Sequence, residues 1–358
     1  MELQFHDVTQ DVWQRLQQES RPLVLYGTGN GAEKLLAVLE KYQISVSDIF
    51  VSDAFYRGQE FHGYTCLRYT DICQKYEDCI ILIGFAIFRD DMIHTIKEIA
   101  KKYEVLAPEV PVFGYDVFTL NHLTTYQEEI QQIYNALADE QSRKVFSSVL
   151  HYRLTGQLSY LFNCETPRQE VFDNLIHPGD TATYVDLGAY RGDTIEEFLQ
   201  VTGGRFQSIY ALEPDTKNYQ KLQKYLATLP KEISSRINTY PFASWSEQTT
   251  LPFDGGGGRN SSVNTGKREV QATDVDSVLK GIKATYIKMD VEGAETETLT
   301  GLKQTLAVFK PALAVSAYHR TTDLFLLPLQ ILTLQPQYQL YLRHHPYIPA
   351  WETNYYCL

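Results

Sequence analysis

The 358-residue chain has few cysteines, fewer basic than acidic residues, and no long apolar run. Its five cysteines form no C-x-x-C pair, which argues against a zinc site or a disulfide framework and fits reduced thiols in a cytoplasm. Lys and Arg number 32 against 44 Asp and Glu, and the net charge is −12. We therefore expect no nucleic-acid partner, because neutralising phosphates requires a basic surface.

No apolar run approaches the roughly 18–20 residues that span a bilayer, so we expect no membrane partner. The first residues, MELQFHDVTQ, lack a basic region followed by an apolar core. This is unlike a secretory signal and favours a cytoplasmic protein. The hydrophobic fraction of 44% is typical of a folded globular chain.

Apolar strands alternate with amphipathic helices in two parts of the chain, which predicts an α/β protein with two Rossmann-like units. We assign residues 1–114 to an N-terminal Rossmann-like domain, 115–167 to a helical connector and 168–358 to a second domain. The first domain has four predicted strands: Pro22–Tyr26, Ile49–Val51, Cys79–Ile83 and the short Tyr103–Leu106. The second domain has five predicted strands before its terminal hairpin: Tyr184–Leu187, Ser208–Leu212, Arg236–Tyr240, Tyr286–Met289 and Ala312–Val315. The hairpin consists of a period-two strand near 338–343, which ends in Arg343 and His344, and a partner at the end of the sequence.

The segment YVDLGAYRGD at 184–193 is the most informative stretch. It predicts a strand, a glycine turn through Gly188 and Gly192, and a helix whose free N–H groups face a ligand. The next strand ends at Glu213, where a carboxylate is suited to bind both hydroxyls of a ribose. A D-x-G-x-x-x-G turn with an acidic strand end, and without G-x-G-x-x-G, is the pattern of S-adenosylmethionine (SAM) sites and predicts a methyltransferase.

A second motif, IKMDVEGAE at 287–295, delivers Asp290, Glu292 and Glu295 at the carboxyl end of an apolar strand. Ligands of parallel sheets bind at this edge. Oxygen ligands of this kind suit Mg²⁺, but the spacing is not diagnostic and our prediction includes no metal. Glu295 has an alternative role as a partner of the helix dipole.

These motifs, taken in order with LEPD at 212–215 and SAYHR at 316–320, resemble the FkbM family of methyltransferases over residues 168 to 345. The resemblance implies a class I fold with a mostly parallel seven-stranded sheet and a terminal antiparallel hairpin. It also implies SAM-dependent O-methylation of a hydroxyl on a sugar or a secondary metabolite. The implied SAM contacts are Asp186, Gly188, Ala189, Gly192 and Glu213, with Ser244 and Trp245 near the adenine, where Trp245 stacks in place of a more usual Asp.

Two residues are candidates for catalysis because a hydroxyl nucleophile needs a general base. Asp290 and His319 both follow predicted strands. We favour His319 as the base and Asp290 as a contact to substrate or to the SAM amino group, with the reverse assignment and a structural histidine as alternatives. Glu292, Glu295, Arg343 and His344 are candidate substrate contacts.

The N-terminal unit carries a looser dinucleotide pattern, in which Gly27, Gly29 and Ala32 follow the first strand and Asp53 follows the second. Three interpretations stay open: a module for a nucleotide-sugar or acceptor, an NAD-dependent oxidoreductase domain, or a packing domain without ligand. Glycines 255–258 predict either a mobile lid or an exposed hairpin tip.

A non-catalytic binding module that retains a SAM-like or nucleotide-sugar fold is the competing function. The acidic residues at 213, 290, 292 and 295 favour the enzyme. The expected partner is a small-molecule or carbohydrate acceptor, and a homo-oligomer is left open.

Overall fold

The computed structural model describes residues 3, 5, 7–114, 116–254, 262–263, 266 and 268–358. The predicted lid or hairpin tip at glycines 255–258 lies outside these residues. Within the described residues, no helix has both the length and the apolar character that a bilayer crossing requires.

The N-terminal unit is built on a parallel sheet of five strands in the order β5-β2-β1-β6-β7. Its central strands are buried on both faces because helices cover the sheet on each side. A 3₁₀ turn at Asp53–Phe55 follows the second strand. The elements are α1 (Val12–Gln17), β1 (Leu23–Tyr26), α2 (Asn30–Lys41), β2 (Asp48–Val51), β3 (Glu60–Phe61), β4 (Tyr64–Thr65), β5 (Leu67–Arg68), α3 (Tyr69–Lys75), β6 (Ile80–Ile83), α4 (Asp90–Ile99) and β7 (Glu104–Leu106).

Five helices connect the two sheets: α5 (Leu120–Thr125), α6 (Gln127–Ala136), α7 (Glu140–Thr155), α8 (Leu158–Phe162) and α9 (Arg168–Asn174). The longest, α7, begins at an Asp139 cap, whose carboxylate accepts the Ser142 N–H, and ends at Gly156 in the left-handed region. Its buried side chains join one hydrophobic cluster that contains strands of both sheets. The two units therefore share a continuous core.

The second unit is a seven-stranded sheet in the order β10-β9-β8-β15-β16-β18-β17, in which only β18 runs antiparallel to its neighbours. This confirms the predicted methyltransferase sheet with its terminal hairpin. The elements are β8 (Thr183–Leu187), α10 (Asp193–Thr202), β9 (Ser208–Leu212), α11 (Thr216–Leu226), α12 (Lys231–Ser234), β10 (Ile237–Tyr240), β11 (Ala243–Ser244), β12 (Thr249–Asp254), β13 (Ser262–Val263), β14 (Arg268–Thr273), α13 (Val275–Leu279), β15 (Tyr286–Met289), α14 (Glu295–Thr300), α15 (Lys303–Phe309), β16 (Ala312–Ser316), α16 (Asp323–Leu334), β17 (Leu340–His344) and β18 (Thr353–Cys357).

A small four-stranded sheet, β11-β14-β12-β13, is an addition that the sequence did not predict. It branches from the main sheet after β10 and returns to it through α13. Its strands β12 and β14 pair antiparallel, from Thr249 with Ala272 to Phe253 with Arg268. This sheet places Phe253 beside the cavity described below.

The period-two pattern of β17 predicts a half-buried strand, and this is wrong at its carboxyl end. Arg343, His344 and His345 are all buried. Helix α7 covers the polar face, where Arg343 Nη2 lies 2.6 Å from the Asp139 carboxylate and Arg343 Nη1 donates to Ser142 Oγ at 3.0 Å. An ion pair between two distant segments leaves no periodic signature in either of them.

Candidate active site

The predicted glycine turn joins β8 to α10 at the carboxyl edge of the large sheet. Gly188 has φ +85°, and a Cβ there would lie 2.0 Å from the Asp290 carbonyl oxygen of the adjacent strand β15. Gly192 caps α10 with φ +95°. Thr194 Oγ1 donates to Asp186 Oδ2 at 2.5 Å and so joins the helix start to the strand end. Only glycine fits the first position, because any side chain would strike backbone.

Glu213 closes the turn from the end of β9. Its Oε2 accepts the Tyr190 N–H and its Oε1 accepts the Asp215 N–H, both at 2.8 Å. Burial raises the pKa of Glu213 to about 7, although these two N–H groups oppose the rise. The turn and the carboxylate thus form one unit around a common space.

That space is a cavity of about 420 Å³. Both Gly188 and Glu213 line it, as the sequence predicted, together with Tyr190, Asp193 and Thr194 of the turn. Asp186, Ala189 and Gly192 are outside the described lining. They support the turn from below: Asp186 and Ala189 are buried, and Gly192 donates its N–H to the Ala189 carbonyl at 2.8 Å.

The expected adenine region needs a correction. Ser244 lines the cavity, and its hydroxyl lies 2.9 Å from that of Thr298. Trp245 is not among the described lining residues, because it packs against the small apolar cluster of the four-stranded sheet. Phe242 and Phe253 line the cavity instead. Phe242 could have been identified from the sequence only because it lies two residues before Ser244. Phe253 could not, because it belongs to a strand that was not predicted.

The acidic motif and the SAYHR segment meet at the far side of the turn. His319 Nε2 lies 3.3 Å from Asp290 Oδ1 and 3.7 Å from Glu292 Oε2, and its Nδ1 lies 2.8 Å from Glu295 Oε1. Lys288 Nζ donates to the other oxygen of Asp290 at 3.3 Å. Asp290, Glu292 and His319 line the cavity, whereas Glu295 is buried behind the histidine. Glu295 is therefore a support of His319 rather than the expected substrate contact.

The charges in this group determine its protonation. Burial opposes a charge on His319, but Glu295, Glu292 and Asp290 raise the pKa of the imidazole well above its usual value. Burial likewise opposes a charge on Asp290, yet Lys288 and His319 hold the pKa of that carboxyl far below its usual range. A histidine that already holds its proton cannot take up a second one, so the arrangement favours the carboxylate–imidazole group, with the Asp290 carboxylate as its accepting member, over His319 alone.

Asp290, Glu292 and His319 each offer one ligand atom, and these atoms all lie within 4.8 Å of one another. This is the donor set that could hold a metal ion. It differs from the acidic trio considered in the sequence, because His319 replaces Glu295.

Three aromatic side chains that also line the cavity form an aromatic wall. It consists of Phe88 from the N-terminal unit with Tyr347 and Trp351 from the loop between β17 and β18. The rings of Phe88 and Tyr347 stack with centroids 5.6 Å apart, and Tyr347 lies 6.0 Å from Trp351. Two backbone hydrogen bonds between Ile87 and Ile348, of 2.7 and 2.8 Å, hold the two segments together. The sequence carries no signal for this wall, because Phe88 is more than 250 residues away from Tyr347 and Trp351 in the chain.

Arg343 and His344, predicted to contact substrate, are outside the described lining of the cavity. Arg343 is committed to Asp139, and His344 Nδ1 lies 3.0 Å from Thr353 Oγ1. Their neighbour His345 does line the cavity, with its two nitrogens 2.8 Å from the Thr166 carbonyl and 2.7 Å from the Tyr356 hydroxyl. The sequence prediction named Arg343 and His344, whereas the residue that lines the cavity is the next one, His345.

The glycine turn of the N-terminal unit is packed by protein. A Cβ at Gly27 would lie 2.7 Å from the Phe85 ring, and Ala32 is buried against Gly84. The space around Gly29 is open, and Asp53 is exposed at the start of the 3₁₀ turn. Binding of a nucleotide-sugar by these residues stays a prediction.

Residues 186–345 match the family described as Methyltransferase FkbM domain. The fold is similar to the crystal structure of methyltransferase FkbM from Methylobacillus flagellatus KT, with 26% sequence identity and a TM-score of 0.76 over 95% of this chain and 90% of that chain. The Streptococcus mutans protein SMU.1697c, solved in complex with SAH, has 14% identity and a TM-score of 0.33 over 54% of this chain and 99% of that chain.

No curated protein matches the chain significantly. The similarity to the Methylobacillus structure extends over both sheets, since it covers nearly the whole chain. The family match covers the glycine turn, Glu213, the acidic motif and His319. Residues 186–345 therefore match the FkbM methyltransferase domain, and nearly the whole chain has a fold similar to that of an FkbM methyltransferase.

Proposed function

We propose that this methyltransferase uses SAM to methylate a hydroxyl of a sugar or of a glycosylated or secondary metabolite. The observation that carries the proposal is the convergence of Gly188 and Glu213 on one cavity that also contains the Asp290–His319 group. Donor and proton-accepting groups thus share a single space of about 420 Å³.

SAM occupies the half of the cavity next to the turn. The N-terminus of α10 and the open approach at Gly188 suit the methionine end, because free N–H groups and a missing side chain admit a ligand against the backbone. The carboxylate of Glu213 receives the ribose hydroxyls. The adenine contacts Phe242, Phe253 and Ser244, which line the same cavity.

The acceptor occupies the half that faces the aromatic wall. Flat rings of Phe88, Tyr347 and Trp351 suit the apolar face of a sugar or a cyclic metabolite, while the polar groups at Asp290 and His319 receive its hydroxyls. Because Phe88 belongs to the N-terminal unit, this unit forms part of the acceptor site.

Methyl transfer is an in-line displacement. The acceptor oxygen forms a bond to the methyl carbon as the bond from carbon to the sulfonium sulfur breaks, and SAH is released. The hydroxyl proton passes to the carboxylate–imidazole group of Asp290 and His319. Alignment of the two reactants supplies up to about 7–11 kcal/mol, and the proton acceptor adds roughly 10²–10⁴-fold.

The direct test incubates the protein with methyl-labelled SAM and a panel of hydroxylated glycosides and cyclic metabolites. We expect label in a product whose methyl ether is identified by mass spectrometry. The same panel is run on His319→Ala and Asp290→Asn, with SAM affinity measured separately.

We expect both variants to bind SAM but to lose at least tenfold in turnover. A His319→Ala enzyme with normal turnover would contradict the assigned proton acceptor. A thermal shift produced by NAD or a nucleotide-sugar, with none from SAM or SAH, would contradict the function itself and favour a binding module.

A further inference from the structure

We propose that Asp290, Glu292 and His319 bind a divalent transition-metal cation that holds the acceptor hydroxyl. The role of this cation rests on the function proposed above, but its binding does not. The site combines two carboxylates and an imidazole on the wall of one cavity, contributed by the loop after β15 and the end of β16.

The separations between the donor atoms fit a common ion. His319 Nε2 is 3.3 Å from Asp290 Oδ1 and 3.7 Å from Glu292 Oε2, and the set spans at most 4.8 Å. Ligand bonds of about 2.0–2.2 Å place neighbouring donor atoms roughly 3.0–3.6 Å apart. The two distances from His319 Nε2 therefore lie at or close to this range, and small side-chain adjustments bring the donor atoms around one ion.

The imidazole is already oriented for this role. Its Nδ1 lies 2.8 Å from Glu295 Oε1, which also accepts the Val291 N–H at 3.1 Å. His319 and Glu295 are each 1% exposed, so the pair is fixed by packing. A carboxylate behind a metal-binding histidine is the usual second partner of such ligands, because it fixes the ring and the tautomer. Nε2 is thereby directed to the cavity side.

The two carboxylates are the more accessible members. The side chains of Asp290 and Glu292 are 28% and 22% exposed, and both line the cavity. An ion bound at this corner has its remaining coordination positions on the cavity side. These positions accept an acceptor hydroxyl, or the two neighbouring hydroxyls of a sugar.

The donor set indicates which metals fit. Imidazole with carboxylates suits Mn²⁺, Fe²⁺ or Zn²⁺, whereas Mg²⁺ prefers oxygen ligands and retains its waters. A bound cation lowers the pKa of a coordinated hydroxyl, and this is the chemistry that it supplies here. His319 Nε2 is then a ligand and takes up no proton, and the hydroxyl proton passes to a carboxylate oxygen of Asp290 or Glu292 that does not bind the ion. Lys288, whose ammonium group lies beside Asp290, offsets part of the negative charge of the carboxylates when the ion is absent.

The test uses Mn²⁺ as the probe. The full-length protein is treated with a chelator, dialysed and titrated with Mn²⁺, and free Mn²⁺ is followed by electron paramagnetic resonance. We expect one saturable site per chain in the wild type. His319→Ala and Glu292→Gln should weaken binding at least tenfold, and Glu295→Gln, which keeps all three ligands, by about 10- to 100-fold.

Glu247→Gln is the matched control, because it removes the same charge from an exposed position of the same unit and should leave the Mn²⁺ affinity unchanged. Glu292 is partly exposed and Gln is nearly isosteric, so this variant tests the site even if His319→Ala does not fold. Circular dichroism confirms folding in each case. Equal Mn²⁺ affinity in the wild type and Glu292→Gln would overturn the proposal.

Methyl transfer is measured in parallel and separates the two proposals. Full activity after chelator treatment, with SAM bound normally, overturns the cation and leaves the methyltransferase assignment intact. Saturable Mn²⁺ binding without methyl transfer to any acceptor supports the site and counts against the O-methyl function. Activity that is lost with the chelator and restored by Mn²⁺ supports both.

Discussion

Replacing Glu213 with Gln should change two properties that depend on this buried carboxylate: the affinity for SAM and the pH dependence of stability. Glu213 is 5% exposed, and both of its oxygens accept backbone N–H groups of the turn. Gln keeps the shape but removes the charge and one acceptor. We expect SAM affinity to fall, because charged hydrogen bonds to the ribose are each worth about 1.5–3 kcal/mol, or roughly 10- to 150-fold in Kd.

The same change should alter how stability depends on pH. Burial raises the pKa of Glu213 from 4.5 to about 7 in the folded protein. The folded state therefore holds this proton more tightly than the unfolded state, and its stabilisation is lost as the pH rises from 4.5 through 7. At about 1.4 kcal/mol per pH unit, the difference between these values amounts to roughly 3 kcal/mol.

The assay is urea unfolding of the SAM-free wild type and of Glu213→Gln between pH 5 and 8. Subtracting the two curves cancels the other titrating groups. The wild type should lose up to about 3 kcal/mol relative to the variant over this range. Calorimetric titration at pH 8 gives the SAM affinity of each. Parallel pH profiles together with equal SAM affinity would refute this account of Glu213.

Three further predictions address other parts of the molecule. Gly188→Ala should lose at least about 2 kcal/mol of unfolding free energy in urea denaturation, because its Cβ would lie 2.0 Å from the Asp290 carbonyl oxygen in a left-handed backbone conformation. Gly179→Ala is the control and should match the wild type, since a Cβ there has nothing within 4 Å. Equal stability of the two variants would contradict the turn geometry. In steady-state kinetics, Phe88→Ala should raise the KM for the acceptor about 2- to 12-fold and leave the SAM affinity unchanged. Phe55→Ala is the control, because Phe55 is also an exposed phenylalanine. An unaltered KM for Phe88→Ala would exclude the aromatic wall from the acceptor site. Arg343→Met should destabilise the fold by about 1.5–3 kcal/mol, because the ion pair with Asp139 is lost, and should leave the KM for the acceptor unchanged. A raised KM at normal stability would instead support the substrate role predicted for Arg343 from the sequence.

The donor side of the site could be predicted because its signals are local. Within about thirty residues, the chain contains the strand, the glycine turn, the helix and the acidic strand end at Glu213. Each of these features follows from backbone requirements that single residue types reveal. The mostly parallel course of the strands also followed, since β-α alternation predicts a parallel sheet covered by helices.

The acceptor side could not be predicted because it is assembled from distant segments. Phe88 and Tyr347 meet only when the N-terminal unit packs against the loop of the terminal hairpin. Glu295 looked like a ligand in sequence, yet the return of β16 places His319 in front of it. Arg343 looked half-exposed until α7 covered it. In each case a long-range contact decides which face of a residue is buried.

The most direct test of the central claim is calorimetric titration of SAH into the wild type and into Gly188→Ala. We predict one site per chain in the wild type and loss of that site in a folded variant, because the turn admits the ligand only where residue 188 has no side chain. Absence of SAH binding to the folded wild-type protein, or equal binding to both proteins, would contradict the placement of the methyl donor at this turn.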